Sequence, residues 1–567
     1  MIGLAPRAAP QRGWIAVAAA WGTGLTAWLT WALTTPASAL RGQLSYLQFW
    51  SLETCVYLGL ALSAAVLHEL RGLFHRRDLV GMLLLMALAV GLTTGMAPRT
   101  HRVFYDELIY QNIGQNLAAS RRALMCNDGT IQSGRLQCAI GEYNKQPYAY
   151  PHLLSLAYRF FGVRETAAFV VNAVAIGLCV GALYLVVLML FADRVAAFFA
   201  ALLLALTPQQ LVWSATAAVE PTASLACVGA LLATACFLHS RSAVSLAGAA
   251  VAAAYAIQFR PESLLIVPVV ALLIAERAPE EIARPRLWWA GLLFLALAAV
   301  PMAHIMAVRN EGWGTTGERL SFAYAVQNSS VNGRFYLGDA RFPMAYTLLA
   351  LLGLFAWRGA KGRAALAFYF LLFFGITLFF YAGSYDYGTD VRYSLATYPS
   401  VMILAGLGAA WLVHRVAPRS ARRGARLGLA AVLVIEFFWM YAPGVRVLDD
   451  SAWAARADVE FARSLVDALK GDSYVFTHNP GMFQVWGVNA GQMSLAAANP
   501  ARVDDLAERF PGGIYLHWNF WCNVQDPVQR DFCVKVLAAR PGEPIREHST
   551  RDQHYVLYRL AARAPQR

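Results

Sequence analysis

The sequence predicts an all-α polytopic membrane protein of about thirteen transmembrane helices, followed by a C-terminal extracytoplasmic α/β domain. Three observations predict it. Of the 567 residues, 58% are hydrophobic and 14% charged, with a mean hydropathy of +0.45, whereas soluble proteins carry about 25% charged residues. Apolar runs of spanning length recur along the first 443 residues. From about Gly444 the composition turns to that of a soluble domain. The net charge of +13 does not point to nucleic acid, because the basic residues concentrate in short loops between apolar runs, where topology accounts for them.

Thirteen runs are candidate spans: 13–34, 47–68, 79–96, 165–191, 195–212, 220–238, 242–258, 262–276, 287–307, 344–357, 364–383, 396–413 and 427–443. With the N-terminus inside, the inner segments collect Arg7 and Arg12, then Arg71, Arg76 and Arg77, then Arg194, Arg241, Arg277, Arg284 and Arg286. Arg358, Lys361 and Arg363 follow, and last the group from Arg415 to Arg426. The short outer loops carry Arg41, Arg260 and Arg392 alone. This bias predicts a cytoplasmic N-terminus and an outer C-terminal domain. The alanine- and arginine-rich usage points to a bacterium, and so to the inner membrane. The first apolar run, Trp14–Leu33, is long enough to remain as an anchored helix rather than a cleaved signal.

The cysteines divide in the same way. Cys55, Cys179, Cys227 and Cys236 lie in apolar runs as small buried hydrophobes. Cys126 with Cys138, and Cys522 with Cys533, lie in polar segments, as expected of two disulfides in an oxidising compartment. The expected division is therefore two N-terminal helices (1–78), a membrane core (79–443) whose first outer loop is 97–164, and the C-terminal domain (444–567). In that domain Tyr474–Thr477, Gly513–His517 and His554–Tyr558 read as strands. They alternate with helical patterns around Val503–Phe510 and Val528–Leu537.

The first outer loop holds the chemistry. Asp106 and Glu107 open a stretch in which Ile109, Ile113 and Leu117 alternate with Gln111, Asn112, Gln115 and Asn116. That spacing predicts a helix with one apolar and one amide-rich face, lying flat in the headgroup region. Tyr150, Leu153, Leu154, Ala157 and Phe161 share one face of a second such helix. An acid at a helix start is also an ordinary capping residue, and the two roles are compatible.

The run Tyr105-Asp-Glu-Leu-Ile-Tyr, then Ile113-Gly-Gln-Asn-Leu, Asn144-Lys-Gln-Pro-Tyr, Pro151 and Phe160-Phe-Gly resembles the first outer loop of GT-C glycosyltransferases. The protein O-mannosyltransferase and aminoarabinose transferase branch is the nearest in pattern. The resemblance covers roughly residues 79–413 and is motif-specific in the first loop only. It departs from the simplest version in having two spans before the core, and the C-terminal domain matches only in being outside and α/β. The resemblance implies a GT-C core, a polyprenyl-phosphate sugar as donor, and inverting transfer to a hydroxyl of a lipid, glycan or protein on the outer face, in building the envelope. Chemistry agrees, since no nucleotide-sugar pool exists outside the membrane. Asp106 matches the family's catalytic carboxylate and is the candidate general base, and Glu107 would orient the acceptor or help hold a metal.

The departing phosphate needs cations, and Lys145, Arg260 and Arg392 are the outer-loop candidates, with Tyr393 beside the last. Arg392-Tyr393 resembles the family's late arginine–tyrosine element. Each also reads as an interfacial anchor. Glu220 and Glu262, each beside a proline at a span start, with His152 and Tyr385, are candidates for the acceptor or a secondary site. A divalent cation on Asp106, Glu107, His152, Glu220 and Glu262 has no tight ligand spacing to support it, so metal dependence stays open. His517-Trp-Asn-Phe-Trp reads as domain core rather than a sugar-stacking surface. The competing classes are a secondary transporter, which would show paired halves and midplane charges, and a surface-polysaccharide polymerase or ligase, whose largest loop would come late in the chain.

Overall fold

The structure, a computed structural model, describes residues 9–69, 75–103, 105–311, 317–356, 361–448, 453–524 and 526–561. Arg7, Arg71 and Arg358, counted above among the inner basic residues, and Phe104 of the first outer loop lie outside them, as does the side chain of Arg12. In order come helices α1 (Ala9–Thr34), α2 (Ala37–Glu69), α3 (Arg76–Met96) and α4 (Asp106–Ser120), strands β1 (Met125–Gln132) and β2 (Arg135–Glu142), and α5 (Ala149–Phe161). The membrane-type helices continue as α6 (Thr166–Phe191), α7 (Arg194–Ala205), α8 (Pro208–Ser214), α9 (Glu220–Ser240), α10 (Ala243–Ala256), α11 (Ile266–Arg277) and α12 (Pro285–Ala307). After them come α13 (Phe322–Gly338), α14 (Met344–Ala356), α15 (Arg363–Phe379), α16 (Tyr398–Val416), α17 (Arg422–Glu436) and α18 (Ala442–Arg446). The remainder is α19 (Trp453–Leu469), β3 (Ser473–Thr477), α20 (Pro480–Val485), β4 (Asn489–Gln492), α21 (Met493–Ala498), α22 (Ala501–Arg509), β5 (Gly513–Trp518), α23 (Phe520–Asn523), α24 (Pro527–Ala539), β6 (Gly542–Thr550) and β7 (Gln553–Leu560).

The chain divides into two compact units. The first comprises Met1–Arg99, Asn172–Ala215 and Val219–Val447; the second comprises Thr100–Val171, Thr216–Ala218 and Leu448–Arg567.

Within the first unit every one of the thirteen expected runs is helical over most of its length. Among the described residues, seven helices are long and apolar enough to cross a membrane, or eight if the pair α7 and α8, bent by 58°, is one span. Helices α10, α14 and α15 are apolar but shorter, so thirteen helical runs are not thirteen spans by length. The interior is packed through small residues: a Cβ on Gly353 of α14 would strike the Leu404 carbonyl of α16, and one on Gly408 would strike the Leu349 carbonyl in return. Backbones touch where side chains are absent, the usual means of association for helices that gain nothing from excluding water.

The second unit is built on a seven-stranded sheet of order β2-β1-β4-β3-β5-β7-β6. Strand β3 runs parallel to β4 and β5, and the remaining pairs are antiparallel. The expected strands and helices of the C-terminal segment are present. The division expected between a loop at 97–164 and a domain at 444–567 is not the one the fold makes. The β1–β2 hairpin of the loop joins the sheet through Asp128 opposite Gly491 and Gly129 opposite Ala490, and the Ile131 N–H donates to Asn489 Oδ1 at 2.7 Å. The physical reason is an exposed edge: β4 needs a partner for its backbone groups, and the hairpin supplies one. Cys126 and Cys138 are bonded across that hairpin, and Cys522 and Cys533 are bonded between α23 and α24. The four remaining cysteines are free and buried.

Helix α4 corrects a second expectation. Its amide face does not meet headgroup water: Gln111, Asn112, Gln115 and Asn116 are all buried. Asn112 Nδ2 donates to Gln484 Oε1 at 2.7 Å while its Oδ1 accepts from the Cys126 N–H at 2.7 Å. Gln115 donates to the Gln484 carbonyl at 3.0 Å, and Asn116 to the Leu124 carbonyl at 3.1 Å. The amides fasten the helix to α20 and β1, because buried backbone groups at irregular junctions need side-chain partners. Replacing Asn112 by alanine takes the partner from the Cys126 N–H and from the Gln484 amide oxygen, both buried. It should lower the unfolding free energy of the purified protein by about 2–4 kcal/mol, read as a fall in its thermal midpoint in detergent.

Candidate active site

Each unit contributes a cluster of candidate residues. In the second unit, Asp106 is the first residue of α4 and half-buried. The residue before it, Tyr105, has φ 62° and ψ −32°, a positive-φ conformation that a bulky side chain adopts only when surrounding structure holds it. The Tyr105 hydroxyl donates to Asp458 Oδ2 at 3.1 Å, and its ring lies 5.8 Å from that of Trp521. Gln146 Nε2 donates to Asp106 Oδ1 at 3.3 Å, and Tyr110 donates to Gln146 Oε1 at 3.0 Å. The two halves of the loop motif, 105–117 and 144–151, thus meet at Gln146. Their approach needs Gly114, where a Cβ would stand 2.8 Å from the Pro151 carbonyl of α5. Lys145 sits in the same turn, half-buried.

Glu107 departs from its expected part. It is completely buried rather than facing an acceptor. Its Oε1 accepts from the backbone N–H groups of Arg102 and Val103 at 2.8 and 2.9 Å, and its Oε2 from Ala217 N–H and His101 Nδ1 at 2.8 Å each. His101 Nε2 lies 2.7 Å from Glu165 Oε1, and Arg463 pairs with Glu165 at 2.5 Å. Burial opposes charge on His101, but the hydrogen bonds and charges of Glu107 and Glu165 outweigh it and push its pKa up to about 9. Burial works against the Glu165 carboxylate too, and His101 and Arg463 still hold its pKa below the ordinary value. His152, a candidate for the acceptor or a secondary site, is completely buried within α5.

In the first unit, three span starts converge. Glu220 opens α9, Arg260 precedes a 3₁₀ turn over Pro261–Leu265, and Arg392 lies in a 3₁₀ segment, Asp390–Thr397, that leads into α16. Glu220 Oε1 meets Arg260 at 2.5 Å and Arg392 at 3.0 Å. Arg260 also pairs with Glu262, and Arg392 pairs with Asp390 at 3.1 Å. Both guanidiniums lie against the Tyr393 ring, at 5.0 and 4.7 Å from its centroid. Glu220, Arg260, Glu262, Arg392 and Tyr393 line one pocket, with Ser224, Cys227 and Ser263 also in its wall. The sequence named four of the five charged members and Tyr393; Asp390 was missed. Tyr385, expected nearby, is instead buried in a ring cluster with Phe335 and Tyr336, and its N–H donates to Asn332.

Among the described residues, the one His/Cys/Asp/Glu group whose ligand atoms converge is His478 with Cys522 and Cys533, and those two sulfurs are already bonded to each other. His517 is completely buried, 3.3 Å from Asp458, as the core reading of its aromatic run requires.

Residues 145–304 match the sequence family described as dolichyl-phosphate-mannose-protein mannosyltransferase. That range includes Lys145, His152, Glu220, Arg260 and Glu262. No curated protein matches the chain. Among solved structures, ArnT from Cupriavidus metallidurans in the apo state is similar at 15% identity and a TM-score of 0.50, over 84% of this chain and 97% of that one. The archaeal oligosaccharyltransferase AglB from Archaeoglobus fulgidus, in complex with an inhibitory peptide and a dolichol-phosphate, is similar at 12% identity and a TM-score of 0.50. That match spans 85% of this chain and 74% of the archaeal one. The apolar helices make this a multi-pass membrane protein; residues 145–304 carry the likeness to the mannosyltransferase family, and the chain shares the fold of these solved structures.

His101 carries a pH signature. Its folded pKa of about 9 exceeds the ordinary 6.5, so its contribution to stability is complete below about pH 6.5 and is lost as the pH rises through about 9. Thermal midpoints of the purified protein should fall across that window, by the equivalent of roughly 1–3 kcal/mol. In His101→Gln that pH-dependent fall should be largely absent.

Proposed function

We propose that the protein transfers a sugar from a polyprenyl-phosphate donor to a hydroxyl acceptor on the outer face of the inner membrane, with inversion and with Asp106 as general base. The observation that carries the reading is Asp106 itself: it is half-buried at the start of α4, while Tyr105 and Glu107 beside it are held by contacts within the second unit. In the reaction the acceptor oxygen attacks the anomeric carbon as Asp106 takes its proton. The bond from that carbon to the phosphate oxygen breaks, and the bonding pair leaves with the phosphate. A sugar phosphate is already activated, so positioning and charge stabilisation are what the protein must supply.

The pocket of Arg260, Arg392 and Tyr393 suits the phosphate, since guanidinium forks and a phenol match its oxygens. Lys145, in the second unit, remains a candidate cation. Glu220, Glu262 and Asp390 already share the two guanidiniums, so an arriving phosphate competes with carboxylates. Glu107 acts in positioning. Among the described residues, no converged ligand set includes Asp106, Glu107 or His152. The basic inner loops support the proposed orientation, with a cytoplasmic N-terminus and a periplasmic C-terminal segment. Sugar and acceptor are identified by mass analysis of envelope glycans from cells with and without the gene.

With protein levels matched, Asp106→Asn should abolish that modification, a loss of about 10²–10⁴-fold in rate; undiminished transfer sinks the reading. Undecaprenyl phosphate binding to the purified protein tests the pocket separately. Arg260→Ala or Arg392→Ala should weaken it by about ten- to a hundredfold.

A further inference from the structure

We infer that α19, in the C-terminal segment, positions Asp106 by gripping the residues on both sides of it: Tyr105 directly through Asp458, and Glu107 through Arg463, Glu165 and His101. The inference deepens the reading of Asp106 as the base and rests on it.

Two separate chains of contacts run from one helix to the two neighbours of one carboxylate. On the first, Asp458 of α19 is completely buried and accepts from the Tyr105 hydroxyl at 3.1 Å. Its other oxygen lies 3.3 Å from His517 Nε2, and His517 Nδ1 lies 3.2 Å from Thr477 Oγ1. The acid that holds Tyr105 is therefore tied to β3 and β5 at the centre of the sheet. On the second, Arg463 lies over the Trp486 ring at 4.9 Å from its centroid and pairs with Glu165, which meets His101, which meets Glu107. Arg463 and Glu165 are 298 positions apart in sequence; Tyr105 and Asp458 are 353 apart.

A purely structural tether does not require this chemistry. Leu108 already packs into an apolar cluster with Val459, Phe461, Ala462 and Leu465 of α19, and buried ion pairs return little net stability compared with apolar packing. What ionic and hydroxyl contacts add is direction. They converge on positions 105 and 107 and hold Tyr105 in a backbone conformation that costs about 1–3 kcal/mol. That conformation sets the direction in which α4 begins, and so where the Asp106 carboxylate stands. A carboxylate displaced by about 1 Å from its acceptor can lose a factor on the order of 10² in rate. On this view the C-terminal segment serves the reaction without touching substrate: Asp458, Arg463, Glu165, His101 and Tyr105 are positioning residues.

The test uses the full chain, with two readouts: restoration of the envelope modification in gene-deleted cells, and binding of undecaprenyl phosphate to the purified protein. Tyr105→Phe removes a single oxygen, and Arg463→Ala breaks the second chain. Each should lower transfer by about ten- to a hundredfold while leaving undecaprenyl phosphate affinity within about threefold of the parent, and Arg463→Lys should restore most of the loss. Transfer at the parent level in both Tyr105→Phe and Arg463→Ala, with Asp106→Asn inactive, overturns the inference and leaves the base in place. Loss of binding and transfer together, without rescue by lysine, also overturns it, because it marks a structural tether only. An active Asp106→Asn removes the underlying reading instead.

Discussion

The second unit depends on a protonated imidazole buried between two carboxylates. His101 bridges Glu107 and Glu165, and a charge so placed is tolerable only if its partners are fixed and their remaining lone pairs are used. That condition reaches far along the chain. Glu107 takes two backbone N–H groups from its own approach segment and a third from Ala217. Glu165, at the foot of α6, is completed by Arg463 of α19. Three stretches far apart in sequence are thereby locked to the first turn of one helix. The imidazolium and guanidinium balance the two carboxylates, so the network is close to neutral and can remain buried.

The same economy explains the amide face of α4. Gln111, Asn112, Gln115 and Asn116 look like the wet side of an amphipathic helix when seen alone. In the folded unit, however, Asn112, Gln115 and Asn116 bond the Gln484 side chain and backbone groups of Leu124, Cys126 and Gln484, while Gln111 bonds back to the Glu107 carbonyl. A helix with an apolar face and a hydrogen-bonding face is suited to being buried on both, provided the second face meets polar partners. The hairpin on β4 follows the same logic, since a strand edge left open would expose backbone groups. A loop between two membrane-type helices becomes part of a sheet whose other strands lie more than 300 residues later.

In the first unit the charges obey a different constraint. Glu220, Arg260, Glu262, Asp390 and Arg392 stand at the ends of apolar helices, where partial charges of helix termini and water access make ionised groups affordable. Two guanidiniums lie against one phenol ring, and three carboxylates share them, so the cluster carries no unbalanced positive charge.

Composition, apolar run length and loop charge are properties of contiguous residues, and they made the membrane class, the thirteen helical runs, the strands read at 474–477, 513–517 and 554–558, and the two cysteine pairs legible from the sequence alone. The acidic pair and the arginine–tyrosine element were legible too, because a motif is local. What the sequence could not disclose is which way each polar residue faces and what it meets. Asp106 and Glu107 are adjacent and chemically alike, yet one is half-buried and the other is sealed among four donors. That difference is decided by Ala217, Glu165 and Arg463, whose partnership leaves no periodicity to read. Tertiary structure alone assigned the loop hairpin to the sheet, the amide face to the interior and Tyr385 to a ring cluster, since each depends on partners brought together only when distant segments pack.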